Sequence, residues 1–416
     1  MIVAHRILLF PNDAQERFFR KASGTARFVF NWGLAQWKSE YESGGKPSAY
    51  SLKKAFNAIQ KAQFPWVAEV NSHTKQQAFA DLGNAFANFF RRVKQGGEKP
   101  GYPKFKAKGR SRDAFYMANI ECSVHGNHLH LPKQMGDVRM REPLRFHGKL
   151  MSVRISREVD KWYAAISVEM PDAKPMNLAA KPLVGINLGV HRMVTASTGL
   201  MLDEPKHGDA AQRRLKILQR QLRPGKHRPG SQRYKIAAKR VAKQHQRIRH
   251  LRENSLHQVS ANLTTRYPLM AIEGWSIKDL TASASGTPEQ PGENIALKSK
   301  FNRHMLDRGI GELRRQLEYK AARRGGAVIV HEAHEVTNRT CSRCGHIHPQ
   351  QPLLVPMFKC PACDLVLDRD TNSALVIAKK ATGGAPGSNA RGVAQSGPSG
   401  PSRHAETGTR QWSDQR

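Results

Sequence analysis

Four of the five cysteines fall in two C-x-x-C pairs, Cys341/Cys344 and Cys360/Cys363, with fifteen residues between the pairs. That spacing is the pattern of a zinc ribbon, in which four thiolates close a tetrahedral site and leave no open position for chemistry. A structural Zn²⁺ is therefore expected. His346 and His348 lie in the intervening loop, but four sulfurs already satisfy the ion, so both are expected to be solvated. Cys122 stands alone and reads as an ordinary buried residue. Carboxylates offer a second chemistry. Glu273 ends an apolar run, "LMAIEGW", where a buried charge is costly unless it meets a cation. Asp370, in "LDRDTNSALVIAKK", precedes a helical run and follows the second cysteine pair. Carboxylates converging from separate strands and helices can hold paired Mg²⁺ ions that activate water and stabilise a leaving oxygen. The alternative for Asp370, and for Asp368, is a helix N-cap.

The elements that must position these residues alternate between strand and helix. "LVGINLGVH" (183–191) reads as a short buried strand that breaks at a glycine and carries one polar side chain, Asn187. Two further strand-like runs follow, then a stretch from Ala211 to Arg252 with fifteen Lys/Arg and no acid. Apolar Leu215, Leu218, Leu222, Ile236, Val241 and Ile248 divide that stretch into two helices joined at "RPGKHRPG". Next come the strand "PLMAIEGW", a long helix near 296–324, the strand "AVIVHE", the cysteine segment and a last helix from Thr371 to about Ala381. In the N-terminal half, residues 2–10 alternate as a strand, and Asp13 to Glu16 has capping-box spacing ahead of a helical region. Phe28, Phe30, Trp32, Phe89 and Phe90 are expected to form a core stripe there. The loop "GEKPGYPKFKAKGR" (97–110) is basic and barred from regular structure by Gly and Pro, which marks Lys104 and Lys106 as phosphate contacts. Short alternating runs from about 115 to 170 read as antiparallel strands that, with the first strand, close a small β-barrel. Residues 171–182 form a linker.

A chain of 416 residues supports two or three domains. Its 68 Lys/Arg against 33 Asp/Glu give a net charge of +35, a field suited to holding a polyanion through phosphate contacts and counterion release. Nucleic acid is the expected partner, with Arg213, Arg214, Arg220, Lys239, Arg240 and Arg247 of the acid-free stretch facing it. A membrane surface is the weaker alternative, because no basic amphipathic helix with a Trp/Phe/Leu face stands out. "MIVAHRILLF" has only a four-residue apolar run before Pro11, unlike a signal peptide, and no run approaches the ~20 apolar residues of a membrane span. Together with paired rather than disulfide-type cysteines, this points to the cytoplasm.

The order "GINLGV", a basic helical hairpin, "AIEGW", "LEYKAARRGG", "TNRTCSRCG", a second C-x-x-C and "DRDTNSALVI" resembles the TnpB family, transposon-encoded RNA-guided nucleases related to compact type V CRISPR effectors. "LLFPNDAQERFFRKASGTARFVFNWGLA", "PGYPKFKAKG" and "LPKQMGDVRMR" extend the likeness to the N-terminal half. The resemblance implies an α/β fold with an added β-barrel: a wedge β-barrel at 1–10 and 111–172, with an inserted helical recognition lobe at 11–110. A RuvC-type (ribonuclease H-like) domain is expected at 183–382, with the basic hairpin at 211–265, the zinc ribbon at 337–367 and a disordered tail at 383–416. It also implies a guide RNA, a duplex DNA target beside a short flanking motif, a prokaryotic, nucleoid-associated setting, and a catalytic triad at Asn187, Glu273 and Asp370 that holds Mg²⁺. Asn187 departs from the family's aspartate. Asparagine has nearly the same shape but no charge to hold and bridge two hard cations, so cleavage is expected to be severely reduced. His191, Asp203 and Glu204 are the candidates to make up the missing charge. The leading expectation is an RNA-guided DNA-binding protein with a disabled nuclease, acting as a roadblock or repressor. Its alternatives are an active Mg²⁺-dependent RNA-guided endonuclease and, less favoured, an RNA-independent DNA-binding transposase.

Overall fold

The alternating N-terminal run forms β1 (Ile2–Phe10), whose Ile7 and Leu9 enter a buried core. The structure is a computed structural model. It describes residues 1–96, 100–132, 135–189, 192–203, 207–274, 276–286, 292, 294–331, 337–349 and 356–382. Two units divide between Pro171 and Asp172, at the start of the expected linker. His191, Glu204 and the tail from residue 383 lie outside the described residues.

In the first unit, α1 (Asp13–Glu42) starts from a capping box one residue earlier than expected. Asn12 Oδ1 accepts from the Gln15 amide at 2.9 Å, and Gln15 Oε1 accepts from the Asn12 amide at 3.0 Å. The register follows from burial: the Gln15 side chain also donates to the carbonyls of Met135 and Asp137, which the carboxylate of Glu16 cannot do. Helices α2 (Ala49–Gln63) and α3 (Ser72–Lys94) complete a core of Phe30, Trp37, Phe56, Phe79 and Phe86, with Phe28, Trp32 and Phe89 against it. Of the expected stripe, only Phe90 is left largely exposed.

The strands that follow are β2 (Ala114–Ala118), β3 (Ser123–His125), β4 (His128–Leu131), β5 (Gly136–Met140), β6 (Lys149–Glu158) and β7 (Lys161–Glu169). With β1 they form a seven-stranded antiparallel sheet in the order β2-β6-β7-β1-β5-β4-β3. Its two edge strands, β2 and β3, are consecutive in the chain and separated only by residues 119–122. That link reaches about 18 Å at most, whereas the edges of a flat seven-stranded ladder would stand about 29 Å apart. The sheet therefore curls, bringing Phe115 and Met117 of β2 into one core with Leu129 and Leu131 of β4. Cys122 is buried there, as expected, and burial pushes its thiol up to about 12.

The second unit begins with β8 (Val184–Asn187), β9 (Val194–Ala196), β10 (Met201–Leu202), α4 (His207–Gln219) and α5 (Gln232–Arg266). It continues through β11 (Leu269–Glu273), α6 (Ile277–Leu280), α7 (Ile295–Arg308), α8 (Ile310–Arg323) and β12 (Ala327–His331). It ends with β13 (Met357–Lys359), β14 (Val366–Asp368) and α9 (Arg369–Ala381). A five-stranded sheet runs β10-β9-β8-β11-β12, with β8, β11 and β12 parallel and β9 antiparallel to β8. Its central parallel strands are buried, which is why they read as apolar runs without alternation. Helix α9 lies directly on β8: a Cβ at Gly185 would stand 2.0 Å from the Ala374 carbonyl oxygen, so no larger residue fits. The single helix expected near 296–324 is two helices, broken where Gly309 takes the left-handed φ of 64°. The break lets Met305 and the buried face of α8, Ile310, Leu313 and Leu317, meet the same core.

The acid-free stretch forms the expected hairpin. Ala211 and Leu215 of α4 meet Val241 and Ile248 of α5, flanked by Leu218, Leu222 and Leu251. Ile236 is exposed instead of joining the stripe, and Ala237 takes the buried position. Small Ala237 suits the close approach of two helices better than a branched side chain. Farther along α5, Leu256, Val259 and Leu263 enter the main core, so one continuous helix anchors the hairpin to the sheet domain. No helix among the described residues is long and apolar enough to cross a membrane.

Candidate active site and metal centre

The four paired cysteines converge. Their sulfurs all lie within 4.8 Å of one another, with Cys341–Cys363 and Cys344–Cys360 each at 3.6 Å. A disulfide would require about 2.05 Å. A tetrahedral ion with metal–sulfur bonds of about 2.3 Å puts neighbouring sulfurs about 3.8 Å apart, so the cluster fits a metal ion. The thiols are poised unequally. Burial would push Cys341 up, but amide donors from Cys344 and Arg343 and the neighbouring thiols bring it down to about 7. Cys363 goes the other way, to about 12: a Leu365 amide favours its thiolate, but burial and the other three sulfurs outweigh it. A divalent cation removes that conflict by stabilising all four thiolates together. The antiparallel pair β13–β14 presents Cys360 and Cys363, and Phe358 on β13 is fully buried beneath them. His346 is exposed as expected, but His348 is buried with its ring 4.8 Å from that of Phe358. So small a domain has few apolar side chains to cover Phe358, and the imidazole supplies one face.

The second constellation forms at the C-terminal ends of β8 and β11, where open α/β sheets place their sites. The parallel register pairs Ala271 with Gly185 and Ile272 with Ile186, so Glu273 and Asn187 stand side by side at the strand ends. Asp370 comes from the first turn of α9. A methyl group on Gly189 would lie 3.8 Å from Asp370 Oδ2 and 3.9 Å from Asn187 Nδ2, so both side chains reach one point. The N-cap role falls to Asp368 alone. Its Oδ1 accepts from the Thr371 amide at 3.0 Å, and its Oδ2 accepts from Arg192 at 2.9 Å. Asp370 stands two positions on, in the first turn of the helix rather than at its N-cap. Glu273 accepts a 2.9 Å hydrogen bond from the hydroxyl of buried Thr337. It also borders a cavity of about 20 Å³ lined by Leu188, Ile277, Ile310, Gly311 and Arg314, room for one or two waters. Asp203, the described candidate to replace the missing charge, is exposed on the edge strand side after β10. The donor set is thus two carboxylates and a neutral amide, with Asn187 itself buried. Such a set fits a hard divalent cation, but with one anionic donor fewer than a triad of carboxylates.

Of the expected phosphate contacts, Arg213, Arg214, Arg220, Lys239, Arg240 and Arg247 are all exposed, outside the buried Leu215/Val241/Ile248 seam. Lys104 is exposed as well, but Lys106 is not held out for a partner. Its Nζ sits 3.7 Å from the centre of the Phe30 ring, and its main chain exchanges two 2.8 Å hydrogen bonds with the Asn31 side chain. The cation over the ring and the two hydrogen bonds tie Lys106 to α1. Sequence reading missed Thr337, Arg314 and Asn372; the first and last lie inside the quoted runs "TNRTCSRCG" and "DRDTNSALVI", with no charge to draw attention.

Family models match three spans: residues 1–46 a "Helix-turn-helix domain", residues 165–284 a "Probable transposase", and residues 311–377 a "Cas12f1-like, TNB domain". The chain is 32% identical over 375 residues to the "Putative RNA-guided DNA endonuclease InsQ" of Escherichia coli (strain K12), covering 89% of this chain and 90% of that one. The chain belongs to the TnpB family. A second TnpB-type relative, a "Putative RNA-guided DNA endonuclease" of Streptomyces pristinaespiralis, is 29% identical and spans 89% of this chain and 87% of its own. A solved structure titled "Cryo-EM structure of CasPhi-2 (Cas12j) bound to crRNA" aligns with 92% of this chain and 98% of its own at 12% identity and a TM-score of 0.48, too distant to bear on the site. Within residues 1–46, this TnpB-family chain has one strand and one uninterrupted helix rather than two helices about a turn.

Proposed function

We propose that this chain is an RNA-guided DNA-binding protein whose RuvC-type nuclease centre is impaired, so that it occupies a matched duplex without cutting it efficiently. The observation that carries this reading is the neutral Asn187 buried at the end of β8, beside Glu273 and within reach of the same point as Asp370. Mg²⁺ bound by Glu273, Asp370 and the Asn187 amide oxygen would supply activation of water and charge neutralisation at phosphate. With Asn187, the chain's own contribution falls short by one negative charge, and cations are held less tightly there.

The remaining parts fit the same work. Guide RNA and target are gripped through their backbones while base pairing reads sequence, which calls for broad basic surfaces rather than a base-reading code. The exposed cations of the α4–α5 hairpin supply one such surface in the second unit, and Lys104 is an exposed cation of the first. The curled sheet built from β1 and β2–β7 serves as the wedge barrel, and α1–α3, inserted between β1 and β2, serve as the recognition lobe. Zinc held by Cys341, Cys344, Cys360 and Cys363 organises the ribbon without entering the chemistry. The setting is the prokaryotic cytoplasm, on the nucleoid. An active endonuclease that tolerates asparagine is the second reading, supported by the names of the relatives. The RNA-independent transposase is weakened by the unbroken α1, which leaves no separate recognition helix in the span matched by the helix-turn-helix model.

Nucleic acid extracted from purified full-length protein tests the reading. A discrete RNA of defined length, needed for binding a complementary duplex, is the expected result. Sequence-specific duplex binding by RNA-free protein would overturn it in favour of the transposase.

A further inference from the structure

The cysteine segment and the two carboxylate-bearing elements are joined by buried and part-buried hydrogen bonds. Thr337, four residues before Cys341, donates its hydroxyl to Glu273 Oε1 at 2.9 Å. Asn372, two residues after Asp370 and fully buried, straddles Cys341. Its Nδ2 donates to the Thr340 carbonyl at 2.8 Å, and its Oδ1 accepts from the Ser342 amide at 2.9 Å. Lys379, farther along α9, donates to the Ser342 carbonyl. A buried side-chain amide satisfied at both ends by main chain tolerates no slip, because sliding the helix would orphan polar groups on both partners. The clasp therefore fixes both the height and the rotation of the first turn of α9 against the residues flanking a cysteine. Asp370 is on that turn.

We propose that the four-cysteine segment is a positioning device for the two carboxylates, acting on Glu273 through Thr337 and on Asp370 through Asn372. This rests on the reading of Glu273 and Asp370 as cation ligands. Thr337 holds Oε1 of Glu273 and so limits the rotation of its carboxylate, the part outer hydrogen-bond partners play for metal-binding carboxylates. Glu273 and Asp370 arrive from a strand and a helix that are not adjacent in sequence, and the ribbon is hydrogen-bonded to Glu273 on the strand and to Asn372 and Lys379 on the helix.

The test uses Mn²⁺ in place of Mg²⁺ and the full-length Asn187→Asp chain, with free Mn²⁺ read by electron paramagnetic resonance. In that background, Thr337→Val keeps the shape and removes the donor, whereas Thr337→Ser keeps the donor. Thr337→Val is expected to weaken Mn²⁺ binding by about tenfold or more, and Thr337→Ser by no more than roughly threefold, with zinc content and melting temperature unchanged in both. Asn372→Ala is expected to weaken Mn²⁺ binding and zinc retention together. Equal Mn²⁺ affinity in Thr337→Val and its parent overturns the positioning role, as does an equal loss in Thr337→Val and Thr337→Ser. If the parent with Thr337 intact binds no Mn²⁺, the carboxylate site itself is misassigned, and the inference falls with it.

Discussion

Two clusters of ligand-type side chains sit in the same unit and differ in completeness. The cysteine cluster has four sulfurs of one kind, able to become four anions around one point. The strand-end cluster has three side chains of suitable shape, but only Glu273 and Asp370 carry charge. Shape alone would make the two equally good sites. The contrast turns on charge: Asn187 is buried and neutral, and on the proposed reading it fills the space of an aspartate without the charge to balance a second hard cation. On the proposed reading, the first cluster is closed and serves architecture, whereas the second is open and would serve chemistry if it were complete.

The largest expected effect comes from completing the second cluster. Asn187→Asp should raise Mg²⁺-dependent cleavage of a guide-matched plasmid by roughly 10²-fold or more, since a missing member of a cooperating catalytic unit costs most of its rate. Glu273→Ala or Asp370→Ala in that background should abolish the gain, while guide-dependent binding persists in every variant. Equal cutting by parent and Asn187→Asp would mean that asparagine is tolerated. Binding without cutting by both would mean that these three residues are not the site.

Breaking the first cluster is next in size. Purified protein should contain about one zinc per chain, and Cys341→Ser or Cys360→Ser should lower that content. Ligation free energy is folding free energy for such a segment, so these variants should lose on the order of 4 kcal/mol, read as an earlier thermal transition. A zinc-free wild type with the full melting temperature would remove the contrast between the clusters.

The same contrast explains what could be read from sequence. The cysteine ligands come from two short turns, so their spacing carries the geometry directly. Glu273, Asp370 and Asn187 come from two strands and a helix, and only chain topology brings them together. Their grouping was legible through resemblance to a family, not through spacing. Helix periodicity located α1, α4 and α5, but not the choice of Asn12 over Asp13 as cap, which depends on Gln15 reaching carbonyls more than a hundred residues away. The surroundings of Lys106 were hidden for the same reason: nothing local announces that Phe30 lies beneath it. Thr337 and Asn372 are neutral, and their partners, the Glu273 carboxylate and the main chain flanking Cys341, lie far off in the chain, so composition gave them no signal.

Binding should be separable from both clusters, and the effect per residue is smaller. Replacing Arg213, Arg214, Arg220, Lys239, Arg240 and Arg247 by alanine should weaken RNA or DNA binding across sequences. The slope of log affinity against log salt should fall by about 1 for each phosphate that is no longer neutralised. Zinc content should stay constant, because the hairpin seam of Leu215, Val241 and Ile248 is untouched. An unchanged salt slope would reduce the hairpin to a solvated face.

The smallest expected effect sharpens the claim that the first cluster is closed. His346 and His348 both lie in the loop between the cysteine pairs, and a histidine could in principle displace a thiolate from the ion. Their environments differ: His346 is exposed, whereas His348 packs edge-on against Phe358. If four sulfurs satisfy the ion, neither imidazole is needed for metal. His346→Ala should then leave both zinc content and stability within about 0.5 kcal/mol of the parent. His348→Ala should keep its zinc but lose roughly 1–2 kcal/mol, because it uncovers one face of a fully buried ring. Zinc analysis and thermal unfolding on the two variants separate packing from ligation. Loss of zinc from His348→Ala at unchanged Cys content would make it a ligand, open one sulfur, and dissolve the distinction between a closed cluster and an open one.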